Sequence, residues 1–243
     1  MIAGNPFEGG SLFAKLVNLW FWEQPPAEAH RNRIEYLEQC LHQVTVRAMG
    51  EGRKARILNL GCGPAQEVQR FLQDRNHSDH AEFTLLDFNE ETIESTRALI
   101  DKIKLRHHRK TLIQFIKKSV NTVLKESARI EEHSIGDQYD FVYCAGLFDY
   151  LTDPVCKRLS NSLYSSVRPR GLFVTTNVHV SNPWPMVMDF IMDWHLIYRT
   201  RAQMMAVRPD ATVTDMCRVT SDPSGVNVYF EATKPGLNHY GIG

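Results

Sequence analysis

The chain has 243 residues and a mass of 27.9 kDa, enough for one large α/β domain or two small ones with a core that needs no disulfide or metal staple. Lys+Arg and Asp+Glu both number 28, giving zero formal charge and a pI near 7.1, which argues against the basic field of a nucleic-acid-binding domain. A hydrophobic fraction of 43% excludes an acidic disordered chain and leaves a globular protein acting on a small molecule.

The five cysteines (Cys40, Cys62, Cys144, Cys156, Cys217) are widely spaced and contain no CxxC pair. That pattern is neither a disulfide framework nor a zinc site, so no metal and a cytoplasmic location are expected. Leu12–Trp22 is apolar but contains Lys15 and Asn18 and is too short to span a bilayer, and with no basic stretch leading into an apolar one the N-terminus is not expected to be a secretory signal.

In chain order, Phe7–Phe21 carries Leu12, Leu16, Leu19 and Trp20 near helical spacing and ends at Pro25-Pro26. Ala27–Met49 follows with Ile34, Leu37, Leu41, Val44 and Ala48 at three- and four-residue steps, predicting a second helix. From Ala55 on, β-rich runs alternate with helical patterns, the signature of βαβ units. We expect a helical lid over residues 1–54 and a ligand-binding domain over 55–243. The expected strands are Arg56–Leu60, Glu82–Asp87, Ile113–Lys117, Asp140–Cys144, Gly171–Thr176, Thr212–Val219 and Val226–Thr233. The expected helices between them are Gln66–Asp74, Glu90–Leu105, Asn121–Glu131, Pro154–Val167 and Met186–Tyr198. Asn89 before two glutamates and Asp153 before Pro154 are helix-start signals. Asp222-Pro223-Ser224-Gly225 predicts an antiparallel hairpin at the sheet's edge.

Ile57–Leu60 runs into Gly61-Cys62-Gly63-Pro64, a buried strand entering a glycine turn and then a helix. Such a turn lets backbone approach a ligand, and Asp87, 26 residues beyond Gly61, stands where this architecture binds a ribose. A dinucleotide fingerprint would place a third glycine at position 66, which is Gln66.

Leu58-Asn59-Leu60-Gly61-Cys62-Gly63-Pro64 instead resembles the first motif of class I S-adenosylmethionine (SAM)-dependent methyltransferases. Tyr139–Gly146 and Val167–Leu172 resemble that family's fourth-strand and fifth-strand motifs. The resemblance covers about residues 55–235. It implies a Rossmann-like, seven-stranded, mainly parallel sheet with an antiparallel last strand, and SAM as the cofactor. Asp87 would hold the ribose hydroxyls and Phe88 would lie beside the adenine. Asn59, Gly61, Cys62, Gly63, Ser119, Val120, Cys144, Ala145 and Gly146 complete the implied cofactor set. The sequence departs from the family in having Asn59 where an acid is usual and Ala65 where a third glycine is usual.

A narrower resemblance lies in Trp22–Pro25, Ala29–Arg33, Leu147–Leu151, Thr176–His179, Ser181–Pro183, Asp193–Arg199 and Gly225–Val228. These stretches are similar to bacterial methyltransferases named for extracellular factor 3-hydroxypalmitic acid methyl ester, which implies carboxyl O-methylation of a small or fatty acid. A carboxylate is ionised at neutral pH and needs alignment rather than a base. His179, Asn182, His195 and Tyr198 are the expected catalytic residues, with Asn177 and Arg199 as further donors; on a helix, Ile191, His195 and Tyr198 would share one face. Trp20, Phe21 and Trp22 could cover the pocket, pack between helices or form a homodimer contact, whereas Cys62 and Cys144 read as packing residues. Two alternatives stay open. One is cyclisation of SAM itself to an azetidine-2-carboxylate-type amino acid, with release of methylthioadenosine and Phe148 or Tyr150 as the aromatic face. The other is a non-catalytic SAM-binding regulator.

Overall fold

The computed structural model describes residue 7 and residues 9–130, 138–190 and 193–236. Helices α1 (Leu12–Trp22) and α2 (Pro25–Gly50) lead into β1 (Ala55–Leu60), α3 (Gln66–Asp74), β2 (Ala81–Asp87), α4 (Glu90–Arg106), β3 (Leu112–Lys117) and α5 (Val120–Ile130). They are followed by β4 (Tyr139–Cys144), α6 (Asp153–Ser165), β5 (Val167–Val178), α7 (Pro185–Phe190), α8 (Arg201–Ala206), β6 (Cys217–Ser221) and β7 (Asn227–Thr233). The strands form one sheet in the order β3-β2-β1-β4-β5-β7-β6. From β3 to β5 neighbouring strands pair in parallel, while β7 runs antiparallel to both β5 and β6. This is the mainly parallel sheet that the βαβ alternation predicts and the Rossmann-like, seven-stranded form that the family resemblance implies. The order reverses between β1 and β4, so their carboxyl ends open the crevice where such sheets bind ligands.

Both faces of the central strands β1 and β4 are covered, which explains their near-continuous apolar runs. On one face Ala55 and Ile57 of β1 pack with Leu41 and Val44 of α2 and Phe71 of α3. On the other, Leu58 and Leu60 join Leu159 and Leu163 of α6 and Met204 of α8. Thus α2 is a core helix along much of its length, not only a cover. Its first turns are fastened over the carboxyl end of the sheet: Asn227 Nδ2 donates to the Ala29 carbonyl at 3.0 Å, and Asn32 Nδ2 to Asp222 Oδ2 at 3.0 Å. Helix α1 buries none of its residues, but its Trp20 and Phe21 rings pack on Trp184, with centroids 5.1 and 6.4 Å away.

Caps behave as the sequence predicts at α4, where Asn89 Oδ1 accepts from the Glu91 and Thr92 N–H groups. At the other start signal the cap is Thr152, and Asp153 is already helical.

Several expected elements are corrected. α6 stops at Ser165, and β5 is longer than expected, starting at Val167 and crossing Gly171 with a register shift opposite Tyr139–Phe141. The strand expected over Thr212–Val219 is a 3-10 turn at Thr214–Met216 followed by β6, because Thr212 folds back on the Pro209 carbonyl. The helix expected over Met186–Tyr198 ends at Phe190, with Ile191 and Met192 outside the described residues. Beyond it the backbone donors leave the helical pattern: Trp194 N–H goes to the Met188 carbonyl, Ile197 N–H to Asp149 and Arg199 N–H to Val178. The segment therefore returns to the sheet in extended form, bridging His179 to Arg199. Glu131, the expected end of the fifth helix, also lies outside the described residues.

Candidate active site

The glycine turn after β1 is built from positive φ angles, +70° at Gly61 and +50° at Gly63. Gly61 and Cys62 both donate to the Leu86 carbonyl, at 2.8 and 3.0 Å, which pins the turn to the end of β2. Ala65, where a further glycine is usual in the resembling family, adopts a left-handed φ of +47° at the start of α3. Asp87 closes β2 almost buried. Its Oδ2 accepts from Gly63 N–H at 2.9 Å and its Oδ1 from Asn89 N–H at 3.0 Å. Each oxygen keeps a lone pair for a ligand hydroxyl.

These groups open on a cleft of about 260 Å³. A smaller lobe of about 90 Å³ extends under the glycine turn, and Gly61, Gly63, Ala145, His30 and Arg33 border both. Of the residues expected to hold a cofactor, Gly61, Gly63, Asp87, Phe88, Ala145 and Gly146 line the larger lobe, while Asn59 and Cys62 line the smaller one. Phe88 is 64% exposed, leaving its ring face open. Cys144 is fully buried in the core, and Ser119 lies at the exposed start of α5, where its Oγ accepts from Thr122 N–H; neither they nor Val120 border the cleft. Burial pushes the Cys62 thiol up to about 12, with Asp87 and Glu67 adding to the effect, so it remains protonated at neutral pH.

Four other residues were expected to be catalytic, and the structure places them elsewhere. His179 Nδ1 accepts from the Ser181 backbone at 3.2 Å in a surface turn, and Asn182 Oδ1 accepts from Trp184 N–H at 3.1 Å. His195 is exposed between Asp189 and Asp193, and Tyr198 is part-buried beside Asn182. The structure does not bring these four together at the cleft.

The titratable groups that border the cleft come instead from α2 and from the turn after β4. Arg33 Nη2 donates to His30 Nδ1 at 3.0 Å. A guanidinium can only donate, so His30 carries its proton on Nε2, which lies 3.4 Å from Gln66 Oε1. Burial, and secondly the charge of Arg33, lower His30 to about 4, so its imidazole is neutral at physiological pH. Arg33 Nη1 lies over Gly146, where even a Cβ would come within 3.2 Å of it. Asp149 sits in the 3-10 turn Phe148–Tyr150, with Oδ1 accepting from Val178 N–H at 2.7 Å. Burial raises its carboxyl to about 6, against the Val178 hydrogen bond and the charges of Arg33 and Arg199. Arg199, fully buried, holds this turn by donating to the Phe148 carbonyl at 2.7 Å and to Asn177 Oδ1 at 2.6 Å. Tyr150 and Trp194 form an aromatic wall, the Trp194 indole donating to the Tyr150 hydroxyl. Arg33, His30 and Asp149 all lie within stretches of the narrower resemblance, so the signal was present in the sequence without a role attached.

A family model described as a methyltransferase domain matches residues 51–218. Among solved structures, a possible exported protein from Bordetella parapertussis superposes with a TM-score of 0.72 at 18% identity, covering 97% of this chain and 77% of its own. Magnesium protoporphyrin IX methyltransferase from Synechocystis PCC 6803, with bound SAH, gives 0.56 at 13% identity, covering 96% and 90%. An O-methyltransferase family protein from Burkholderia thailandensis gives 0.55 at 11%, covering 98% and 66%. No curated protein matches the sequence. Among the described residues no helix is long and apolar enough to cross a membrane.

Proposed function

This chain belongs to the methyltransferase domain family and works with S-adenosylmethionine; on that premise we propose that it methylates a carboxylate oxygen of a small organic acid. The residues present fit the cofactor: Asp87 has lone pairs for a ribose diol, Phe88 an open ring face for adenine, and the glycine turn leaves backbone room between them. When bound, SAM supplies a methyl group made electrophilic by its sulfonium.

The observation that carries the acceptor assignment is Arg33. Its guanidinium borders the cleft, its side-chain hydrogen bond goes to neutral His30, and no carboxylate of the described residues forms an ion pair with it. The planar fork presents paired donors to a carboxylate, and His30 fixes its plane without competing for charge. The acid arrives ionised, so Arg33 has only to aim it, while Tyr150, Trp194 and Met188 exclude water from that side. The test is turnover with matched substrates. A panel of small and fatty acids should yield methyl esters, and the corresponding primary amides should yield nothing. Equal turnover of acids and amides would remove Arg33 from the assignment.

A second reading, intramolecular cyclisation of SAM, is favoured by one observation. Asp149 borders the cleft with its carboxyl raised to about 6, poised to accept a proton from an amine held there. Methylthioadenosine formed without any acid present would support it.

A further inference from the structure

A second and larger cleft, of about 710 Å³, lies between α2 and the strands β5, β6 and β7, and it shares no lining residue with the cofactor cleft. Tyr36, Cys40, Val44 and Arg47 follow one another at four- and three-residue steps, so a single stripe of α2, about 16 Å long, forms one wall. Leu172 of β5 and Met216 ahead of β6 add apolar surface. Arg47 ends the stripe half-buried, and its guanidinium has no hydrogen bond or ion pair with any of the described residues. The two carboxylates that act on it, Asp140 and Glu51, are already taken. Asp140 accepts from Arg53 at 2.7 Å through each oxygen and from Arg168 at 3.4 Å. Glu51 accepts from Arg53 at 2.6 Å and lies 3.7 Å from Arg170. Four guanidiniums thus share two carboxylates, and Arg47 is the one that faces the cleft. The other charges of the cleft do not answer it: Arg218 is closed on Glu231 at 2.6 Å, and Asp215 is exposed and not among the acids acting on Arg47.

We propose that this cleft is a second binding site, for an organic carboxylate with an apolar body, whose acid group takes the idle fork of Arg47 and whose body lies along Val44, Leu172 and Met216. A guanidinium stays charged at any physiological pH, and a half-buried one gains most from a planar anion that accepts two parallel N–H groups. The apolar wall beside it selects for carbon attached to that anion over a small hydrated ion. Arg33 and Arg47 stand on the same helix but border different clefts, so the site needs neither SAM nor the methyl acceptor.

The experiment is a nuclear magnetic resonance titration of the full chain labelled with ¹³C at its methionine methyl groups. Met216 lines the second cleft and Met188 the cofactor cleft, so the two sites report separately. The probes are 4-phenylbutyrate, its primary amide and inorganic phosphate. In the wild type, 4-phenylbutyrate should move the Met216 signal to saturation, with the amide at least about tenfold weaker and phosphate weaker still. Arg47→Gln should weaken 4-phenylbutyrate at Met216 by about tenfold or more and leave S-adenosylhomocysteine binding unchanged. Arg33→Lys should leave the Met216 titration as it is in the wild type. Should Arg47→Gln not fold, the comparison of acid, amide and phosphate on the wild type still decides. Equal response to acid and amide, phosphate matching the acid, movement at Met188 alone, or a Met216 response that survives in a folded Arg47→Gln overturns the proposal.

Discussion

Arg33 and His30 share a hydrogen bond of 3.0 Å in which the imidazole Nδ1 is the acceptor, so the cation at the mouth of the cleft is oriented by a neutral ring. Replacing Arg33 with Lys keeps the charge but loses the fork. The expected result is a KM for the acid raised about tenfold or more, with a smaller fall in kcat and an unchanged melting temperature. The core face of α2, at Leu37, Leu41 and Val44, is untouched by this change.

The same pair predicts a pH effect. His30 is lowered from 6.5 to about 4, so the unfolded chain takes up a proton before the native one does. Its contribution to stability is complete above pH 6.5 and disappears as pH falls to about 4. A ¹H–¹⁵N experiment on the imidazole should find the Nε2–H tautomer at pH 7 and protonation only near pH 4. Protonation near pH 6.5 would contradict the buried, Arg33-facing ring.

Asp149 behaves in the opposite sense. Its carboxyl rises from 3.8 to about 6, so burying the ionised form costs stability that builds as pH rises from 3.8 and is complete above about 6. Asp149→Asn should therefore stabilise the protein at pH 7–8 by about 3 kcal/mol at most, with the gain shrinking to nothing below pH 4. Chemical denaturation at several pH values measures this. A loss of turnover alongside the gain would mark the stability–activity conflict of a functional carboxyl.

Gly63 has a φ of +50° with open space around its missing Cβ, and Asp87 receives its N–H. Gly63→Ala should cost roughly 1–2 kcal/mol from left-handed backbone strain. It should also weaken SAM binding, since Gly63 borders both lobes of the cleft. Asp87→Ala should lower SAM affinity about tenfold to a hundredfold, measured by calorimetry, through loss of charged acceptors for the ribose.

The sequence made some of this site legible and left the rest obscure for a physical reason. Gly61, Gly63 and Asp87 could be read because a tight turn and a strand end impose local backbone demands that only certain residues meet. The β6–β7 hairpin was legible for the same reason. Arg33 and Asp149 reach one cleft only because α2 is bolted to β7 through Asn227 and because Arg199 clamps the turn after β4. Neither contact leaves a periodic trace. The segment containing His195 and Tyr198 looks helical by spacing, yet the carbonyls of Asp149 and Val178 capture its amides and turn it into an extended return. His179 and Asn182 follow β5 closely but fold into a turn in which each side chain accepts from the backbone N–H two residues on, Ser181 and Trp184.

Mass spectrometry of SAM turnover, with and without a panel of small carboxylic acids, bears most directly on the methylation of an external acid. The expected result is S-adenosylhomocysteine together with a methyl ester, formed only when an acid is present and reduced strongly in Arg33→Lys. Methylthioadenosine appearing with no acid added, and no ester from any member of the panel, would contradict it.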